Sequence, residues 1–155
     1  MTSTSAPDAV RGSRILLPIF AGGLTAGVLD MTSAFVTFGP GVPRAIAGGL
    51  LGREAFQGGW EVYVLGFALH FLIAISAAAI YCGSSLKLTF LKENFVVCGL
   101  FFGIAIYLVM NLLVLPLSAL HVAHPIALHD LIQGLLVHMF LIGLPISISL
   151  RIFSK

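Results

Sequence analysis

Charge is what this chain has least of. Asp, Glu, Lys and Arg make up 9% of its 155 residues. A soluble domain carries roughly 25%, so no water-facing surface can be built from this composition. An ordinary soluble enzyme, a nucleic-acid binder and a disordered protein are thereby excluded. Cysteine is scarce too, with only Cys82 and Cys98. Both read as small apolar residues near a cytoplasmic face, where thiols stay reduced. Catalytic signatures are missing. There is no G-x-S-x-G, no phosphate-binding loop, no dinucleotide glycine pattern and no H-E-x-x-H. No enzyme activity is expected.

What the chain does have is apolar length. Hydrophobic residues make up 59% of it. Between Ile15 and Pro43 the only formally charged side chain is Asp30. Val62 to Leu86, Asn94 to His129 and Leu131 to Leu150 carry none. A helix rises about 1.5 Å per residue, so about 20 residues cross a hydrocarbon core of ~30 Å. Four segments qualify: 15–38, 60–82, 95–117 and 128–150. Backbone groups cannot stay unpaired in lipid, which leaves helices or a closed barrel. Barrel strands alternate polar and apolar residues, whereas Phe95 to Leu117 is apolar all round. The expected fold is therefore an all-α membrane protein with four transmembrane helices in one domain, residues 15–155. Residues 1–14 read as a flexible cytoplasmic tail.

Arg11 and Arg14 before an apolar run resemble the start of a secretory signal. The run continues to Phe38, past the ~7–15 residues of a signal core, so an uncleaved first helix is expected. Arg11, Arg14, Lys87, Lys92, Arg151 and Lys155 fall on one side of the four-span arrangement. Arg44 and Arg53 fall on the other. The basic side faces the cytoplasm, which puts both termini there. Trp60, Tyr63 and Tyr81 lie near span ends, where amphipathic rings prefer the interface.

The first outer connection is the unusual one. Gly39-Pro40-Gly41-Val42-Pro43 reads as a turn into a helix start, with Pro43 at a tolerated position. Arg44 to Phe56 then mixes Ile46, Leu50, Leu51 and Phe56 with Arg44, Arg53 and Glu54. That pattern fits a short interfacial helix, ended by Gly58-Gly59. A re-entrant hairpin is the alternative, and the two arginines argue for the surface.

An internal repeat is also visible. Gly23-Leu24-Thr25-Ala26-Gly27 recurs as Gly99-Leu100-Phe101-Phe102-Gly103, and Pro40 recurs as Pro116. Gly66 to His70 recurs as Gly134 to His138. The halves would form a two-plus-two parallel repeat. Gly23, Gly27, Gly66, Gly99, Gly103 and Gly134 are candidate helix-packing residues, since small residues let helices approach in lipid.

Each span carries one strongly polar residue away from its ends: Asp30, His70, Asn111 and His138. Such residues are costly in lipid and face a bundle interior or a cavity. Three readings compete. The residues hydrogen-bond helix to helix, at ~1 kcal/mol each. Or Asp30 with His70 or His138 forms a protonatable site for a proton, ion or small solute. Or His70 and His138 are axial ligands of a b-type haem. No cofactor is expected under the first two. A second cluster, His121, His124, His129 and Asp130, is a weak metal candidate. His129-Asp130 also suits a helix start, where a carboxylate meets the dipole, and Gln133 extends a polar stripe inward.

Gly22 to Phe38, Gly66 with His70 before Ile75 to Tyr81, and Gly99 to Pro116 resemble four-span bacterial inner-membrane proteins. Through these residues the chain is distantly similar to the YagU family. The resemblance implies an inner-membrane location and a link to acid tolerance, and it supplies no catalytic residues. The chain lacks the extended insert of YagU-like proteins in the long outer connection. The leading expectation is a small accessory or binding protein of the bacterial inner membrane. Its partners would be the lipid bilayer and a second copy or a membrane complex. The rival is a proton- or solute-handling transporter subunit centred on Asp30, His70 and His138. The haem protein comes third.

Overall fold

The computed structural model describes residues 6–122 and 127–153, with side chains from Ile15 onward. Every regular element among the described residues is helical. Four helices have the length and apolarity to cross a membrane: Ile15–Phe38, Trp60–Ser84, Phe95–Leu117 and Leu128–Phe153. These bounds agree with the hydropathy reading to within a few residues. The first helix extends back to Ala6, into the stretch read as a tail. The described ends at Ala6 and Phe153 and the short connection 85–94 share one face of the bundle, called here the terminal face. The connection 39–59 and residues 118–122 lie at the opposite, loop face.

Local chemistry explains the ends. The first helix stops at Gly39, which adopts a left-handed φ of 80°. Its N–H bonds back to the Phe35 carbonyl at 2.9 Å, as glycine does past a helix end. Val42–Leu51 forms the next helix, with Pro43 in its first turn. The sequence pointed to one helix as far as Phe56. It breaks instead at Gly52 (φ 77°), and Gly52–Gln57 continues as a 3₁₀ turn. Small residues of Val42–Leu51, namely Pro43, Ala47 and Gly48, face the bundle. Leu50, Leu51 and Phe56 stay exposed. The Ala119 N–H donates to the Gly49 carbonyl at 2.8 Å, tying the two loop-face connections together.

The third and fourth spanning helices are not regular throughout. Met110–Val114 and His138–Gly143 are π turns. Each ends two residues before a proline, Pro116 or Pro145. Proline removes a backbone donor and clashes with the carbonyl four residues back. Those carbonyls belong to Leu112 and Leu141, inside the two wide turns, so widening relieves the clash. Hydropathy is blind to this departure.

The first helix packs along both the second and the fourth, and the third packs on the fourth. Close approach relies on small residues, since lipid-facing helices gain nothing from leaving water. A Cβ at Gly23 would lie 2.8 Å from Ile75 Cα, and one at Gly27 2.8 Å from the Phe71 ring. Gly66 abuts the Pro43 carbonyl. Gly99 abuts Gly143 and Ser147, Gly103 abuts His138 and Met139, and Gly134 lies under the Tyr107 ring.

The buried core lies toward the terminal face. Ala26, Ala77, Ala78, Tyr81, Cys82, Ile142, Ile146 and Leu150 form it. Tyr81 is a correction to the sequence reading. It is 2% exposed rather than interfacial, and its hydroxyl donates to the Leu91 carbonyl at 3.2 Å. Its ring packs 4.9 Å from Phe102, where the second and third helices meet. Cys82 is fully buried there and Cys98 is half-buried. Ser149 donates to the Pro18 carbonyl at 3.0 Å, pinning the fourth helix to the first. Large apolar side chains such as Phe101 and Leu112 point outward, as lipid requires.

Candidate intramembrane polar site

Beyond the Tyr81–Phe102 contact, a cavity separates the second and third helices. Its volume is about 270 Å³. Asp30, His70, Asn111 and His138 all line it, one from each spanning helix. Ala26, Ala74, Ala77, Ile106 and Ile142 supply its apolar wall, and Val42 and Ile46 cover it from the loop face. The four polar residues singled out by sequence are therefore brought together. All four are half-buried.

Their hydrogen bonds decide what they do. His70 Nε2 donates to the Gly27 carbonyl at 2.8 Å, linking the second helix to the first. A carbonyl only accepts, so Nε2 carries the proton and Nδ1 keeps a lone pair when the ring is neutral. His138 Nδ1 donates to the Gly134 carbonyl at 2.9 Å, within its own helix. Its Nε2 then keeps the lone pair. Asn111 Nδ2 donates to the Tyr107 carbonyl at 2.9 Å, again within one helix. Among the described residues, the Asp30 carboxylate has no hydrogen-bond or ion-pair partner. Three donors are thus spent on backbone carbonyls. What remains is mostly acceptors: a carboxylate, two imidazole nitrogens and an amide oxygen, beside the second N–H of Asn111 Nδ2.

This arrangement bears on the three readings. Helix-to-helix bonding accounts for His70 alone. Asn111 and His138 bond inside their own helices, and Asp30 bonds to nothing described. Haem ligation through His70 Nε2 would require breaking its bond to Gly27. The His138 ring stands edge-on to Tyr107, with centroids 5.2 Å apart.

A second, larger space of about 400 Å³ shares Asp30, Asn111 and His138 with the first. It runs between the first, third and fourth helices. Ser33, Thr37, Tyr107, Asp130, Gln133 and Gly134 line it as well. Gln133 Nε2 donates to the Thr37 hydroxyl at 3.2 Å, so the expected inward polar stripe meets one on the first helix. Sequence reasoning missed Ser33, Thr37 and Tyr107. Their spacing was a usable signal, because Asp30, Ser33 and Thr37 fall on one helix face at i, i+3 and i+7.

The loop-face histidines are less concerted. His129 Nδ1 lies 3.4 Å from Asp130 Oδ1, and both are exposed. His121 sits apart in the connection, with a left-handed φ of 48°. His124 lies outside the described residues. Among the described residues, no three His, Cys, Asp or Glu side chains converge on a metal-sized point.

No protein family, curated protein or solved structure matches this chain. The four spanning helices make it a multi-pass membrane protein, and the polar cavity is the feature from which its function is argued.

Proposed function

We propose that this protein is a small intramembrane binding protein, an accessory component of the membrane, whose interhelical cavity takes a small polar solute. One observation carries the reading. Among the described residues, three of the four polar side chains in the cavity tie no helix to another, yet all four line the same space. Ionisable and polar groups in lipid cost free energy unless paired. Groups that bring no structural return are available to a ligand.

A stability measurement separates this from structural bonding. A polar group kept for a ligand lowers the stability of the empty protein. Asp30→Leu removes a carboxylate that has no partner among the described residues and fills part of the cavity. It is expected to stabilise the purified protein by about 1 kcal/mol or more, read as a higher melting temperature in detergent. A lower melting temperature for Asp30→Leu would return the residue to a structural role.

The transporter reading is the second proposal, because Asp30 and His138 share one cavity and a carboxylate beside an imidazole relays protons. Proton flux into proteoliposomes, abolished by Asp30→Asn, would select it over a binding role.

We also infer a bacterial inner membrane with cytoplasmic termini, supported by Lys87, Lys92 and Arg151 on the terminal face. Val42–Leu51 is taken as interfacial. The exposed Leu50, Leu51 and Phe56 beside Arg53 and Glu54 support this. Arg44 adds to it, lying 5.6 Å over the Tyr63 ring and bonding to the Gly58 carbonyl at 3.1 Å. The two halves of the proposed two-plus-two repeat pack unevenly. The first helix lies along the fourth, while the cavity parts the second from the third.

A further inference from the structure

We propose that the space between the first, third and fourth helices is a water-filled vestibule that admits small cations from the loop face to Asp30, where it meets the first cavity and is closed toward the terminal face. This deepens the binding reading above and rests on it, naming the class of solute and its route.

Three observations converge. The first is continuity. Asp130 and Gln133 stand at the loop-face end of the fourth helix, Thr37 and Ser33 follow on the first, and Asp30 and His138 come last. Each polar residue lies about one helical turn from the next on its own helix, so polar groups recur along a wall otherwise made of Ala34, Phe38, Leu115 and Val137. A space of about 400 Å³ holds on the order of ten waters at ~30 Å³ each. That is ample for a small cation with part of its hydration shell.

The second observation is charge. The residues lining this space include two carboxylates, Asp130 at the mouth and Asp30 at the inner end, and no Lys or Arg. Carboxylates in low-dielectric walls focus a negative potential and concentrate cations. His138 has spent its donor on a backbone carbonyl, leaving an Nε2 lone pair beside the two carboxylates, which suits a cation rather than an anion.

The third is closure. Beyond Asp30 toward the terminal face, the interior is the packed cluster around Tyr81, Ile146 and Leu150. Nothing polar among these described residues continues the path except hydroxyls bonded to carbonyls. The route is a dead end in this conformation.

Cysteine modification in proteoliposomes tests the proposal without knowing the solute. Cys82→Ala and Cys98→Ala provide the background. Ser33→Cys is then treated from one side with membrane-impermeant methanethiosulfonates, one carrying a trimethylammonium group and one a sulfonate. His121→Cys and Lys87→Cys report the loop and terminal faces, and Ile146→Cys reports the closed core. Ser33→Cys is expected to react from the side on which His121→Cys reacts, while Ile146→Cys stays unmodified. The cationic reagent is expected to react at least about fivefold faster than the anionic one, after correction by the His121→Cys ratio. Adding Asp30→Asn should collapse that preference.

Failure takes distinct forms. An unreactive Ser33→Cys overturns the vestibule and leaves the binding reading to its own stability test. Ready but charge-indifferent modification overturns the cation class. Modification from the terminal side overturns the route. A lowered melting temperature for Asp30→Leu overturns the binding reading whatever the reagents show.

Discussion

Two histidines in corresponding sequence contexts do different work here. His70 and His138 each follow a glycine by four residues. His70 reaches across to Gly27, whereas His138 turns back to Gly134. The difference lies in the neighbour. Phe71 and Ala74 flank Gly27, so the first helix comes within reach of His70. Tyr107 lies over Gly134 with its ring edge-on to His138, so the His138 ring meets an aromatic side chain where the His70 ring meets a neighbouring helix's carbonyl. The expected outcome is an asymmetry. His70→Leu should destabilise the bundle by about 1 kcal/mol, the size of one interhelical hydrogen bond in a membrane. Asn111→Leu and His138→Leu should leave stability level or raise it. Denaturation of the purified variants in mixed micelles checks this. Equal losses at His70 and His138 would show that both bind helix to helix.

At the scale of elements, the two π turns shape the site. Asn111 lies in one and His138 opens the other. A π turn adds about one residue per turn, which rotates the remainder of the helix by roughly 100° against a regular one. Both turns sit next to the cavity, and both precede a proline. Pro145→Ala restores a backbone donor and removes the clash with Leu141, so this turn should relax toward regular α-helix. Ile142 and Ile146 would then rotate, and the Gly99–Gly143 contact would loosen. The expected readout is faster amide exchange across 138–147, with helical content unchanged by circular dichroism. Unaltered exchange would mean that packing of Gly103 against His138 and Met139 holds the turn by itself. The prolines were legible in sequence. The turns were not, because hydropathy sums over residues and ignores how backbone bonds are shifted.

At the scale of the whole molecule, polarity is arranged along the membrane normal. The terminal half packs around Ala78, Tyr81 and Ile146 and opens only an apolar groove beside Tyr81, Leu91 and Phe102, while the loop half holds the two spaces lined by Asp30, Asn111 and His138. Helix–helix contact without a hydrophobic driving force depends on small residues, and glycine and alanine cluster where the helices touch. With the proposed orientation, the open half faces away from the cytoplasm. Alkaline phosphatase fused after Phe153 should be inactive in cells, and the same enzyme inserted after His121 should be active. The reverse pattern would place the vestibule on the cytoplasmic side and reverse the direction of solute entry.

Spans, their ends and the four deep polar residues followed from the sequence alone. Membrane crossing is a property of each segment, decided by the summed transfer cost of neighbouring residues. Glycine and proline likewise announce local backbone needs, as Gly39 does at the end of the first helix. The tertiary structure alone decided that Asp30, His70, Asn111 and His138 share one cavity, that Tyr81 is core, and that Ser33 and Thr37 join Asp30 in a polar stripe facing Gln133. Those facts depend on how each helix is rotated and which neighbour it meets. Rotation is set by contacts between residues far apart in the chain, such as Gly103 with His138 and Gly27 with Phe71, and no local window contains both partners. The scarcity of charge located the protein in a membrane. Packing left Asp30, the single acid deep in a span, without a partner among the described residues, at the inner end of a polar path.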